Sequence, residues 1–182
     1  MRKRLALALS IATTGSLVAL ATPPADAAQG VTFTLTAGLL QVSDPANTSL
    51  GSVATGTATV SSQLGAVTVS DARGALLGTW TASVASTDFT TGGATADETI
   101  AKASVDYWSG VATATSGTAV RVPGQATALL SQTMAASRTA YSATGVIGNN
   151  TTTWNPTVVV NIPAQAVVGT YSGTVTHSIT GT

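Results

Sequence analysis

The sequence predicts an all-β protein, an antiparallel β-sandwich of the Ig-like, Greek-key type. Three observations support this prediction. Apolar and polar residues alternate with a period of two over many short segments. Glycine, asparagine and proline separate these segments, as is typical of turns. Charged residues make up only 8% of the chain, and because helix surfaces usually carry Glu, Lys and Gln, this composition favours sheets over helices.

Residues 1–27 have the pattern of a Sec signal peptide that is removed on export. Arg2, Lys3 and Arg4 precede a mainly apolar stretch, and the small residues Ala25 and Ala27 suit signal peptidase. A retained membrane helix is the alternative, but the apolar stretch is barely long enough to cross a bilayer. We therefore predict one mature domain, residues 28–182, that is secreted and located at the bacterial surface.

The first half of the mature chain is predicted to contain five strands. The alternation over residues 31–36 predicts a half-buried strand with Val31, Phe33 and Leu35 on one face. Further strands are predicted over residues 39–42, 53–60 and 66–69. The central strand covers residues 77–84, where two rows face opposite sides: Trp80, Ala82 and Val84 inward, and Thr79, Thr81 and Ser83 outward.

The second half is less regular until its end. Residues 115–118 suggest a hairpin, and residues 125–137 fit either a strand or the one short helix of the chain. A loop is predicted at residues 149–150 and a turn at residues 154–156, followed by a strand over residues 157–162. The closing strand places four residues on one face: Tyr171, Val175, His177 and Ile179.

Charge limits the partners that this chain can have. Removal of the signal peptide takes away three cations and one acid, so the formal charge falls from 0 to −2. The remaining four cations are scattered singly and form no basic stripe, so we expect neither nucleic acid nor, after processing, a membrane as a partner. The chain has no cysteine and one histidine. We therefore expect no cofactor and no metal site.

No catalytic motif stands out, and we predict that the protein is not an enzyme. A hydrolase triad would need His177, but this residue is predicted to lie mid-strand on the apolar face, where a structural role is the simpler interpretation. A glycan hydrolase that uses two carboxylates from Asp71, Asp88 and Asp106 is an alternative, although sequence spacing does not show whether they meet.

Aromatic residues are the candidate ligand contacts, because their rings can stack on sugars and still offer a polar edge. Trp80 alternates with apolar residues and is expected in the core, whereas Trp108 and Trp154 are expected in loops. Tyr171 and His177 complete the candidate set. By contrast, Asp71 and Arg73, followed by Gly74, are expected to tie a structural turn through a charge-assisted hydrogen bond.

Two stretches resemble the WxL family of Gram-positive cell-wall-associated proteins. Residues 67–82 resemble the strand, Asp-x-Arg turn and first Trp-x-Leu motif of that family, and residues 162–179 resemble its closing strand. Ala82, His177 and Ile179 stand where the family has Leu, Trp and Leu. The resemblance implies a β-sandwich held non-covalently on the wall, with Trp80 and His177 at motif positions implicated in peptidoglycan attachment.

These observations give two expected functions of different kinds. The first is a surface module that binds peptidoglycan or other surface proteins without covalent linkage. The second is a pilus-like or coat-like subunit that forms homo-oligomers by strand exchange, and it predicts an exposed edge strand at residues 30–36 and oligomers that depend on concentration.

Overall fold

The computed structural model describes residues 30–182, and the predicted signal peptide lies outside the described residues. Residues 36–182 form one compact unit. Its eleven strands are β1 Leu40–Ser43, β2 Thr59–Gln63, β3 Val67–Ser86, β4 Phe89–Thr90, β5 Thr99–Ile100, β6 Val105–Trp108, β7 Ala112–Pro123, β8 Gln132–Thr133, β9 Arg138–Trp154, β10 Thr157–Asn161 and β11 Val175–Gly181. Within the described residues, the helices are single 3₁₀ turns at Ala96–Glu98, Lys102–Ser104 and Ala128–Leu130.

The strands form two main antiparallel sheets and one small one. In the first sheet the order is β1-β3-β9-β7, and β11 also pairs with β3. Because β9 occupies one side of β3, both β1 and β11 lie along its other edge, at residues 68–71 and 80–86 respectively. The second sheet has the order β2-β10-β6-β8, and β4 pairs with β5.

The three longest strands bend back on themselves. The rings of Tyr141 and Trp154 lie 5.0 Å apart although most of β9 separates them in sequence. In the same way, the amide of Gly110 donates to the carbonyl of Gln125 at 3.0 Å, which brings together the two ends of β7. Gly117 in β7 and Gly148 in β9 have φ of 68° and 65°, which glycine adopts without a steric penalty. Each long strand therefore has two limbs.

The core lies between the inner faces of the sheets, where alternate residues are buried. In β3, Trp80, Ala82 and Val84 point inward as expected, and Tyr107 of β6 and Val158 of β10 oppose them from the second sheet. The remaining buried hydrophobic residues are Val67, Val69, Ile100, Val105, Met134, Ala140, Tyr141, Ala143, Val146, Trp154 and Val160. The predicted all-β antiparallel sandwich is thus confirmed.

Several local predictions are wrong. Residues 31–36 form no strand, and Val31, Phe33 and Leu35 are 84%, 91% and 87% exposed. Alternation alone does not bury a segment, because a strand also needs a partner edge. Only the end of the strand predicted at residues 53–60 is extended, as the start of β2. Residues 149–150 continue β9 rather than forming a loop, because Gly148 supplies the bend just before them.

The region predicted as a strand or a short helix, residues 125–137, contains elements of both kinds. A single 3₁₀ turn covers Ala128–Leu130, and the two-residue strand β8 follows at Gln132–Thr133. Met134 is buried, and its amide donates to the carbonyl of Val105 at 2.7 Å. The mixed pattern of apolar residues therefore reflects a connection that is fixed at two buried side chains, Gln125 at its start and Met134 near its end.

Candidate functional site

The two stretches that resemble the WxL family lie side by side in the first sheet. Strand β11 pairs with the second limb of β3, so that His177 faces Val84, Ile179 faces Ala82 and Gly181 faces Trp80. The pairing also aligns the residues between them, since Thr180 is paired with Thr81 and Ser178 with Ser83. The motif positions and their neighbours thus share one two-stranded surface.

The outward side chains of this surface are hydroxyl residues. Thr81 lies between the buried Trp80 and Ala82, so strand alternation directs its side chain away from the core. Ser142 of β9 lies between two buried residues and is paired with Thr81. We call the set the hydroxyl face, and it consists of Thr81, Ser83, Ser142, Thr176, Ser178 and Thr180.

The hydroxyl face is neutral and has free hydrogen-bonding capacity. Within residues 30–182, none of its six side chains hydrogen-bonds to another protein group. Each hydroxyl can donate one hydrogen bond and accept two. Neighbouring strands lie about 4.8 Å apart and every second residue repeats at about 6.7 Å, so the hydroxyls form a closely spaced array, with one register shift between Ala82 and Ser83. Such an array complements a ligand that itself presents rows of hydroxyl and amide groups.

A polar cluster lies under the hydroxyl face, in which His177, Tyr107 and Trp154 are buried and Asp44 is exposed. The Nδ1 atom of His177 is 3.1 Å from a carboxylate oxygen of Asp44, and its Nε2 atom is 3.1 Å from the hydroxyl of Tyr107. The indole Nε1 of Trp154 donates to the same hydroxyl at 3.4 Å. Because an ionised carboxylate only accepts, neutral His177 carries its proton on Nδ1 and accepts from Tyr107 at Nε2.

Burial sets the protonation of this cluster. It lowers the pKa of His177, and the hydrogen bond that Nδ1 donates to Asp44 opposes this effect. Burial also raises the pKa of Tyr107 far above its ordinary value of 10.0. Both groups are therefore held neutral. Although Asp44 and His177 resemble two members of a hydrolase triad, the hydroxyl that contacts the imidazole belongs to a buried tyrosine with a raised pKa.

A cavity of about 220 Å³ adjoins the cluster at the start of β11. Asp44 and His177 form part of its wall, together with apolar side chains that include Phe89 and Val158. The hydroxyl of Thr48, which also lines it, donates to the carbonyl of Leu64 at 2.7 Å. The hydroxyl of Thr48 is thus held by a main-chain carbonyl rather than by the Asp44–His177 pair.

The predicted turn at Asp71 and Arg73 is present. Arg73 binds the Asp71 carboxylate through Nε at 2.9 Å and Nη2 at 2.8 Å, and Nη2 also donates to the carbonyl of Thr79 at 3.0 Å. The side-chain hydrogen bond from Arg73 lowers the pKa of Asp71, which keeps this buried carboxylate charged. The ion pair connects the two limbs of β3. It leaves Asp71 with no side-chain surface for a role in glycan cleavage.

The aromatic candidates do not form an open platform. Trp80 is buried as expected, and Trp154, which was expected in a loop, ends β9 with its ring fully buried. His177 is also buried. Trp108 ends β6 and is half-buried, and Tyr171 donates to the carbonyl of Val167 at 3.0 Å. Because the rings of Trp80 and Trp154 lie inside the sandwich, neither can stack on a sugar in this structure.

The sequence did not identify the partners of His177. Asp44 and Tyr107 are 133 and 70 residues away from it, and no local motif connects them. The hydroxyl face, in contrast, follows from the alternation of Thr81 and Ser83 with the buried row of the central strand. The sequence did not predict that this strand pairs with β11 and β9.

The described part of the chain contains no group of three or more His, Cys, Asp and Glu residues that could hold a metal ion. Across residues 30–182 the structure also contains no helix with the length and apolar character needed to span a membrane. The chain matches no family model, no curated protein and no solved structure.

Proposed function

We propose that this chain is an exported bacterial surface protein that binds cell-wall glycan without covalent linkage, through the hydroxyl face. The observation that carries the proposal is the pairing of β11 with the second limb of β3. This pairing places the end of the first WxL-like stretch beside the end of the second, and it brings Thr81 of the first and Thr176 and Ser178 of the second into one neutral array. The signal-peptide pattern supports export.

The chemistry of the face favours an uncharged, hydroxyl-rich ligand. Thr81 and Thr180 are neighbours across the strands, as are Ser83 and Ser178, so pairs of hydroxyls are available for bridging hydrogen bonds. The hydroxyl face also loses little side-chain entropy on binding, because Ser and Thr have short side chains and threonine is stiff at χ1. Individual contacts of this type are weak, so the proposal implies binding through many repeated contacts on an extended polymer.

The burial of the motif residues changes how they contribute. Trp80 and His177 point into the core from the strands that carry the face, so they act by holding β3 and β11 in register. A Trp80→Ala variant would therefore lose binding through unfolding. Substitutions of the outward residues are the informative test.

The experiment is retention of the purified mature protein on isolated peptidoglycan. We expect wild type to be retained on peptidoglycan and the double variant Thr81→Glu/Ser178→Glu not to be retained. The two introduced carboxylates would be buried against the ligand without a partner, which opposes binding. Thr115→Glu, an exposed position on the first limb of β7, is the matched control and should be retained like wild type. Circular dichroism checks that each variant is folded. Failure of wild type to bind, or equal retention of all variants, would disprove the proposal.

A second candidate function is a self-assembling structural subunit at the cell surface. It is favoured by the exposed alternating residues Val31, Phe33 and Leu35, which are not part of a strand. An extended segment of this kind can complete the sheet of another molecule by supplying main-chain hydrogen bonds. Wall binding and assembly are compatible, since they use different residues.

A further inference from the structure

Residues 31–36 have the features of a strand that lacks a partner. Threonine alternates with Val31, Phe33 and Leu35, so in an extended conformation one face is apolar and the other is polar. These three side chains are among the most exposed large hydrophobic residues of the described part of the chain, at 84%, 91% and 87%. The segment contains no charge and no proline that would oppose strand pairing.

The last strand of the first sheet offers an edge of matching length. Within the described residues, β7 pairs with β9 on one side only. Its second limb, residues 118–123, spans six residues, as does the segment 31–36. Val120 and Val122 lie on the outer side of this limb and are 65% and 54% exposed. This limb therefore combines an exposed apolar row with an edge that pairs with no other described strand, although the carbonyl of Ala119 already accepts from Nη1 of Arg121 at 3.2 Å.

The second limb of β7 carries no outward charge, and Pro123 at its end is the one residue of the limb that lacks an amide for pairing. Natural edge strands usually carry an outward lysine or another charge that blocks pairing with a second molecule. The one charged residue in β7 is Arg121, and its side chain turns back into the sheet. Its Nε donates to the hydroxyl of Thr152 at 2.8 Å, and its Nη2 donates to the carbonyl of Gly117 at 3.2 Å. No charge in the limb is thus available to oppose an incoming strand.

We propose that residues 31–36 of one copy add as a strand to residues 118–123 of a second copy. The apolar row of the added strand lies against Val120 and Val122. The other strands at sheet edges fit less well, because β11 presents Thr176, Ser178 and Thr180 outward and β2 contains Ser61 and Ser62. This inference deepens the second proposed function and rests on it.

The proposed contact joins two different surfaces of the chain. Each copy has one donor segment and one acceptor edge, so the contact is heterologous and does not close on itself by two-fold symmetry. It therefore predicts a ladder of oligomers that grows with protein concentration rather than a single dimer.

Disulfide cross-linking tests the contact directly, because the chain has no cysteine of its own. Full-length mature Phe33→Cys is mixed with Val120→Cys or Val122→Cys carrying a different tag, and the mixture is oxidised. We expect mixed dimers with at least one of these two partners. Thr180→Cys on β11 is the matched control at the opposite edge of the sheet, and it should give only background cross-linking.

Sedimentation over a range of concentrations supplies the second measurement. Phe33→Asp should weaken association by at least about tenfold, which corresponds to about 1.4 kcal/mol. Thr34→Asp adds the same charge to the polar face of the strand and should reduce association far less. Because both side chains are exposed, neither change is expected to unfold the protein.

The outcomes separate the inference from the function on which it rests. Wild-type protein that stays monomeric at every concentration would overturn both. Oligomers that persist in Phe33→Asp, or that cross-link through Thr180→Cys in place of the β7 positions, would overturn the inference and leave self-assembly standing. Cross-links at Val120 or Val122, together with loss of oligomers in Phe33→Asp, would support it.

Discussion

Adjacent residues on β11 face two very different environments. Ser178 points outward with no hydrogen bond to another described protein group, whereas His177 points inward and contacts both Asp44 and Tyr107. The same contrast exists on β3 between Thr81 and Trp80. Strand alternation therefore separates two tasks, since inward residues fix the register of the strands and outward residues are available for recognition.

This comparison predicts that inward substitutions affect stability most, and Trp154→Ala should have the largest effect. The ring is fully buried, lies against Tyr141 and donates to the hydroxyl of Tyr107. Removal of a buried Trp typically costs about 3–5 kcal/mol of the free energy of unfolding, because a cavity remains. Urea denaturation followed by circular dichroism measures the loss.

Trp154→Phe is the matched control for this variant. It keeps most of the buried ring and removes the Nε1 donor, so its cost should be clearly smaller than that of alanine. If Trp154→Ala unfolded at the same urea concentration as wild type, the inner face would not be the source of stability, and the contrast between the two faces would fail.

The sequence predicted which residues of a strand point inward or outward better than it predicted which strands pair with each other. The period-two pattern around Trp80 and His177 correctly indicates which residues point inward, since alternation is a local property. A hairpin was predicted at residues 115–118 and a loop at residues 149–150, whereas the structure has bends within continuous strands at Gly117 and Gly148, because a glycine with positive φ can form a turn, a bulge or a bend within a strand. Which of these forms depends on pairing with distant strands.

The segment 31–36 also shows that a local pattern does not determine pairing with distant strands. Its alternation is as regular as that of the central strand, yet its apolar residues are exposed. A local pattern shows that a segment can pair, and only the long-range arrangement shows whether an edge is available. For the same reason, the burial of Trp154 was missed. Its neighbours in sequence indicate a turn, but its position opposite Val67 places it in the core.

The inward residue His177 should make the stability of the protein depend on pH. Burial lowers the pKa of His177 below its ordinary value of 6.5, so the unfolded chain binds a proton more readily than the folded chain. The contribution of neutral His177 to stability is therefore complete above 6.5 and is lost as the pH falls from 6.5 to the lower folded pKa. We expect the melting temperature to decrease with acidification in this window.

His177→Gln is the control for the pH effect. Glutamine does not titrate, and the chain has no other histidine, so the dependence of the melting temperature on pH between neutral and mildly acidic conditions should largely disappear. The variant itself should be less stable at neutral pH, because Tyr107 and Asp44 lose well-placed partners. A slope equal to that of wild type would show that another group causes the effect.

The smallest effect on stability is expected at the hydroxyl face. Thr81→Ala/Ser178→Ala removes two hydroxyls that make no hydrogen bond within the described residues, so the free energy of unfolding should change by less than about 1 kcal/mol. Peptidoglycan retention should nevertheless fall, because the lost hydroxyls are proposed ligand contacts. If the variant were as stable as wild type and bound peptidoglycan equally well, the hydroxyl face would not be the binding surface. A variant that is strongly destabilised would show that its outward residues also hold the sheet together, and the division of tasks between Ser178 and His177 would then no longer stand.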